Sequence, residues 1–186
     1  MKFNPNNFYH VFNRGNNKQK IFFQKRNYQF FEGEIKEYIC PHCHVLSYCL
    51  MPNHFHLLIY LAEQIGVVPL GNMQILERKI GTLQSSYTRA INKQENKTGS
   101  LFQPKCKMVE ISSERAFACF HYIHQNPLRA GLTQSLVGWD YSSFHEYINN
   151  SDKNICSKET AYQLLHIPKE NAMFIEQSYK VSQIVV

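Results

Sequence analysis

The stretch from residue 44 to residue 60 constrains the fold more than any other. HVLSYCLM and HFHLLIY are apolar and aromatic runs of strand length, and only Pro52 and Asn53 separate them. Two such runs joined by a Pro-Asn turn read as adjacent antiparallel strands. The neighbouring segments extend this unit in both directions. FYHVFNRG (residues 8 to 15) reads as a strand ending at Gly15, and the polar NNKQK after it as a loop. Residues 28 to 39 form a helix pattern with Phe31, Ile35, Tyr38 and Ile39 on one stripe and Gly33 as its weak point. A longer helix pattern covers 73 to 93, where Leu76, Ile80, Leu83, Tyr87 and Ile91 recur at spacings of three and four.

After the loop QENKTGS, residues 106 to 111 (CKMVEI) suggest another strand. Ser112 or Ser113 can cap the helix that follows, with Glu114 in its first turn. That helix is expected to end near Asn126, because Pro127 disfavours α geometry in the residue before it. The order β, α, β, β, α, β, α contains a ferredoxin-like split βαβ unit in its first six elements. The expectation is therefore an α+β fold, an antiparallel sheet with the helices of that unit on one face, plus a C-terminal tail with a short helix around Lys158 to Leu165.

At 186 residues the chain suits one principal core. We expect a domain over 1–150 and a C-terminal extension over 151–186. The 44% hydrophobic and 18% charged residues are ordinary for a globular protein. There is no apolar run of about 18 residues to span a membrane and no apolar core in MKFNPNNFYH to act as a signal, so a cytoplasmic protein with no membrane partner is expected. In that setting the six cysteines read as reduced thiols. Cys40 and Cys43 form a CxxC beside His42 and His44, but no second CxxC exists to complete a zinc site.

Charge is unevenly placed. The net charge is +6; residues 1 to 30 hold six Lys/Arg and no acid, and residues 78 to 107 hold seven against Glu95 alone. Residues 133 to 186 reverse this, with four lysines against six acids. Two basic segments brought together would suit a polyanion, with Arg78, Arg89 and Lys93 on the polar side of the long helix and Lys105 and Lys107 after it; an ordinary solvated basic surface is the alternative.

Two histidines stand at the mouth of the second strand. His54 and His56 point to one face, with Phe55 opposite, so two imidazoles can share a divalent cation; half-buried strand residues are the alternative. On the last helix Ala116, Phe117, Phe120 and Ile123 cluster on one side, and Tyr122 lies about 150° from the centre of that cluster. Asn126 follows one turn later on the same face, and its amide oxygen can act as a hard ligand. A tyrosine and a hard ligand on one helical face suit attack of a phenolate on a phosphodiester; an exposed tyrosine that merely packs under a loop is the alternative. His121 and His124 flank the tyrosine as candidates for proton transfer, but helical spacing turns them to different faces.

Taken together, YHVFNRGN, LSYCLMPNHFHLLI, GSLFQ, YIHQNPLRAGL and WDYSSFHEY resemble the single-tyrosine transposases of the His-hydrophobic-His superfamily, in the insertion-sequence and REP-associated tyrosine transposase branch. The match is collinear from about Tyr9 to Tyr147. The resemblance implies a catalytic domain that cuts and rejoins single-stranded DNA near a hairpin, through a 5′-phosphotyrosine and a free 3′-hydroxyl. Tyr122 would be the nucleophile. His54, His56 and Asn126 would hold Mg²⁺ or Mn²⁺, and Asn13 and Arg14 of the NRG segment would touch DNA. The WDYSSFHEY stretch implies a monomer or weak homodimer whose tyrosine serves its own chain. After GSLFQ the chain departs from the family, with Pro104, Lys105 and Cys106 where members often carry an arginine and an aromatic. The rival readings are a non-catalytic nucleic-acid-binding protein derived from such a transposase and a metal-dependent phosphodiesterase with no covalent step. A ferredoxin-like RNA binder would want an RNP-type aromatic pattern that is not found.

Overall fold

A computed structural model describes residues 6–62, 64–65, 68–69 and 73–181; the outermost residues of both expected segments, 1–5 and 182–186, lie outside it. The strands are β1 (Asn7–Arg14), β2 (His44–Met51), β3 (His54–Leu61), the two-residue β4 (Gln64–Ile65) and β5 (Val68–Pro69), and β6 (Lys107–Ile111). The helices are α1 (Lys25–Tyr38), α2 (Met73–Glu95), α3 (Ser113–Arg129), α4 (Phe144–Tyr147), α5 (Lys158–Leu165) and α6 (Asn171–Lys180). The main sheet is antiparallel in the order β2-β3-β1-β6, the ferredoxin-like arrangement expected from the order of elements. β4 and β5 pair only with each other.

Pro52 and Asn53 make the expected tight turn, with Met51 opposite His54. The turn is held from outside: Pro52 O accepts the amides of Ile21 and Phe22, and Asn53 O accepts that of Gly15. Gly15 explains the last letter of the NRG segment. A Cβ there would sit 2.2 Å from the backbone oxygen of Gln19, so the chain can fold back against the turn only with glycine.

Alternation along the strands splits the interior in two. Val11, Phe55, Leu57 and Tyr48 face α1 and α2, whose Phe31, Ile35, Leu76, Ile80, Leu83, Tyr87 and Ile91 complete the first core. Phe8, Leu58, Cys49 and Met51 face the other way and meet α3 through Ala116, Phe120 and Ile123. The two helices of the split βαβ unit thus share one face, and α3 covers the opposite one. Residues beyond 150 join this second core: Ala161, Leu165, Ile167 and Phe174 are buried in it. The short helix anticipated at Lys158 to Leu165 is present, and α6 is added to it, its Phe174 filling the space beside Phe120 and Phe144.

The segment 139–143 lies along the outer edge of β2. Leu50 donates its amide to Tyr141 O, Ser143 to Tyr48 O, and the Trp139 indole to Leu50 O, so this edge is not left open to pair with another chain.

One boundary differs from expectation. α3 does not stop at Asn126 but runs through Pro127 to Arg129. Pro127 sits in the final turn and is buried. The Asn126 side chain donates to Tyr122 O at 2.9 Å and the Ala130 amide to Asn126 O, so local bonds and packing carry the helix across the proline against its intrinsic preference.

Candidate active site

β1 and β3 are neighbours, with Phe12 opposite His56 and Arg14 opposite His54. Alternation therefore sends His10, Phe12, Arg14, His54 and His56 to the face that α3 covers. α3 brings Tyr122 to them: its half-buried ring lies edge-on to His56 at 6.0 Å between centroids and to His10 at 6.3 Å. The His54 and His56 rings stand perpendicular to each other at 4.9 Å. The tyrosine so placed belongs to the same chain as the histidines.

Burial keeps these imidazoles neutral. It lowers His54 to about 4, helped by the Arg14 guanidinium, and pushes His56 well below its ordinary value, with the neighbouring His10, His54 and Arg14 adding to the effect. His10 is likewise lowered to about 4 by burial. A neutral ring carries one N–H and one lone pair. Asn53 donates from Nδ2 to Lys18 O at 3.3 Å, which turns its Oδ1 toward His54 Nδ1 at 2.6 Å. The proton of His54 is then on Nδ1, and the lone pair is on Nε2. His56 Nδ1 is engaged as well, by His10 Nε2 at 2.9 Å.

Neutral imidazoles with one nitrogen tied down are the form in which histidine binds a cation, so this donor set fits a divalent ion. Among the described residues no three His, Cys, Asp or Glu side chains are grouped to hold a metal, so a third protein ligand has to be of another type. Asn126 is such a residue. With its Nδ2 given to Tyr122 O, its Oδ1 remains as the acceptor, one helical turn beyond the tyrosine. No hydrogen bond joins Asn126 to either histidine among the described residues.

The residues anticipated as DNA contacts fall into four groups. Arg14 is half-buried beside His54, and Lys107 lies over the Phe12 ring at 5.6 Å, so both border the histidine face. Arg89 and Lys105 line an open groove of about 1100 Å³ between α2 and the 99–106 loop, together with Gln84, Ser85, Gln103 and Cys106. Arg78 and Lys93 are exposed elsewhere on α2. Asn13 points away from the histidines, into the sheet face under α2. It is 4% exposed, and its amide donates to Gln84 Oε1 and Gln103 O, which makes it a brace between β1, α2 and the 99–106 loop.

His121 and His124 are drawn away from the tyrosine into the second core, where they bond Ser178 and Ser143 at 3.1 and 2.7 Å. Cys40 and Cys43 donate their thiols to Ile155 O and Ile39 O; burial pushes Cys40 up to about 11 and Cys43 well above its ordinary value. Two residues at the site lie within the segments YHVFNRGN and YIHQNPLRAGL but are not singled out by them. His10 is visible only once β1 is known to lie beside β3. Arg129 lies over the Tyr122 ring at 5.8 Å and bonds Gln125 Oε1 at 2.6 Å, a position reached because α3 continues past Pro127.

Comparison with known proteins agrees with this geometry. A solved structure described as a REP-associated tyrosine transposase bound to a REP hairpin superposes with a TM-score of 0.63 over 80% of this chain and 83% of its own, at 16% identity, a likeness of fold. A Haemophilus influenzae protein, provisionally named a REP-associated tyrosine transposase, is 25% identical over 143 residues, 67% of this chain and 77% of its own. The profile of the family described as "Transposase IS200 like" matches residues 5–126, a span that runs from the start of β1 through both histidines and Tyr122 to Asn126. With two thirds of its length so matched and the tyrosine of α3 set against the histidines of β3, the chain belongs to the IS200-like transposase family.

Proposed function

We propose that the protein cleaves and rejoins single-stranded DNA beside a hairpin, with Tyr122 as nucleophile and His54, His56 and Asn126 as ligands for Mg²⁺ or Mn²⁺. The observation that carries this reading is the meeting of Tyr122 with His56 across the α3 and β3 interface. The hairpin in the solved relative's description and the basic groups on two sides of the site support DNA as the substrate. Bound there, a divalent ion supplies charge neutralisation at the scissile phosphate.

The Tyr122 hydroxyl loses its proton as its oxygen bonds to phosphorus, and the bond from phosphorus to the 3′-oxygen breaks. The 3′-oxygen leaves and takes a proton, and the 5′-phosphate stays on the tyrosine. The reverse attack by a 3′-hydroxyl reseals the strand and frees the phenol, so no external energy source is needed. Arg14 and Lys107, on the rim of the histidine face, hold backbone phosphates, and the groove along α2 receives flanking DNA through Arg89 and Lys105.

The test is a denaturing gel of protein mixed with 3′-labelled hairpin oligonucleotides and Mn²⁺. Wild type should give a labelled covalent protein–DNA band, and Tyr122→Phe, which removes one oxygen and keeps the ring, should give none. A labelled band from the Phe variant would assign the nucleophile elsewhere. Cleavage by wild type without any band would favour the phosphodiesterase reading.

A further inference from the structure

His10 is the buried ionisable side chain beside this site for which the mechanism above has no use. It occupies the middle of β1 and is 1% exposed. Its ring lies nearly parallel to that of His56, with centroids 5.0 Å apart and 24° between planes, and 4.7 Å from that of Phe12. One nitrogen, Nε2, is 2.9 Å from His56 Nδ1. The other, Nδ1, is buried with no hydrogen-bond partner among the described residues. Packing does not account for this arrangement, since a phenylalanine would fill the same space between Phe12 and Tyr122 without an orphaned polar atom.

We infer that His10 is a positioning residue for His56, accepting the His56 Nδ1–H on its Nε2 and so holding His56 in the tautomer whose lone pair is on Nε2. The inference rests on the proposed metal role of the two histidines. His54 and His56 are then held alike: each gives its Nδ1–H to an acceptor on a neighbouring element, Asn53 Oδ1 in the turn for one and His10 Nε2 on β1 for the other. In the opposite arrangement His10 would donate, His56 would carry its proton on Nε2, and that nitrogen could not coordinate a cation. The orphaned Nδ1 of His10 is the consequence of using an imidazole as an acceptor deep in the sheet.

Two measurements test this. The imidazole nitrogen spectrum of metal-free, ¹⁵N-labelled wild-type protein should show His56 protonated on Nδ1 and bare on Nε2; the reverse pattern would overturn the inference. Mn²⁺ titration of metal-free protein, read by the electron paramagnetic resonance signal of free Mn²⁺, should show His10→Phe binding about 10–100-fold more weakly than wild type. His10→Gln, whose side-chain oxygen can accept the same bond, should recover most of that loss. A Phe variant that binds like wild type, or a Gln variant as weak as Phe, would also overturn it. His54→Ala separates the two readings: if it binds Mn²⁺ as tightly as wild type, the metal site is misassigned, and the wild-type nitrogen spectrum still decides what His10 does. Thermal melting and hairpin binding of each variant expose a folding defect, and should the Phe variant fail to fold, the same spectrum is decisive.

Discussion

At the scale of single residues, the site works through where protons are held. His54 and His56 are kept uncharged by burial, and Asn53 and His10 occupy one nitrogen of each ring. On the proposed function, removing either ring takes away a metal ligand but leaves the basic surface intact. His54→Ala or His56→Ala should therefore abolish cleavage and change hairpin affinity little, which parallel cleavage and gel-shift assays would resolve. Asn126→Ala should be milder, weakening the proposed metal site by one ligand while Tyr122 stays in place. An Asn126→Ala protein as inactive as Tyr122→Phe even at saturating Mn²⁺ would argue that the amide does more than bind the ion.

At the scale of elements, the histidines are placed by a turn and the tyrosine by a helix, each locked from elsewhere in the chain. The turn is locked by the segment after β1, and Gly15 is the residue that lets this segment close. Gly15→Ala puts a methyl group 2.2 Å from Gln19 O, so backbone must shift. We expect about 1–3 kcal/mol of destabilisation, of the size seen when a core is overpacked, together with weakened cleavage, measured by urea unfolding and the hairpin gel. The helix is locked by α6: Gln125 donates to the backbone oxygens of Ser178 and Val181, and Phe174 packs on Phe120, His121 and His124. Phe174→Ala should cost about 3–5 kcal/mol and reduce cleavage more than hairpin binding, because α3 loses its backing while the basic groups on β1, α2 and β6 stay in place. Equal losses of both would mean that α6 supports the whole domain evenly.

At the scale of the molecule, several histidines are folded in as neutral rings. Burial lowers His10 and His121 to about 4 and His124 well below its ordinary value, against about 6.5 in an unfolded chain. Below that value the unfolded chain takes up protons that the folded one does not. Their contribution to stability is then fully present above about pH 6.5 and is lost as the pH falls, down to about 4 for His10 and His121. Each such histidine contributes about 1.4 kcal/mol per pH unit within the window. Urea unfolding at pH 7.5, 6 and 5 should show the decline, and His121→Phe should flatten it by about one proton. The molecule also brings its tyrosine to its own histidines, so we expect a site complete within one chain. Mixing His54→Ala with Tyr122→Phe protein should restore no cleavage, and recovered activity would mean that subunits exchange α3.

Several things followed from the chain's own pattern. The Pro-Asn hairpin, the two striped helices and the order of elements specify the sheet, because side-chain period and turn chemistry are local properties that survive without tertiary context. Alternation puts two imidazoles on one strand face and helical spacing puts Tyr122 off the core stripe, but only the family resemblance carried by MPNHFHLL and YIHQNP joins them into one candidate site. Tertiary structure decided what lay between those halves. Whether a β1 histidine meets His56 depends on which strand pairs with which and in what register, and no local signal encodes that distance of 46 residues. Asn13 is expected to touch DNA until α2 is laid over it, and α3 reads as ending before Pro127 until α6 is packed against its last turns. For His10 and Asn13 the deciding contact joins residues far apart in the chain, and at Pro127 packing from α6 adds to bonds within the last turns of α3, so that burial and hydrogen bonding outweigh the propensities of a few neighbours.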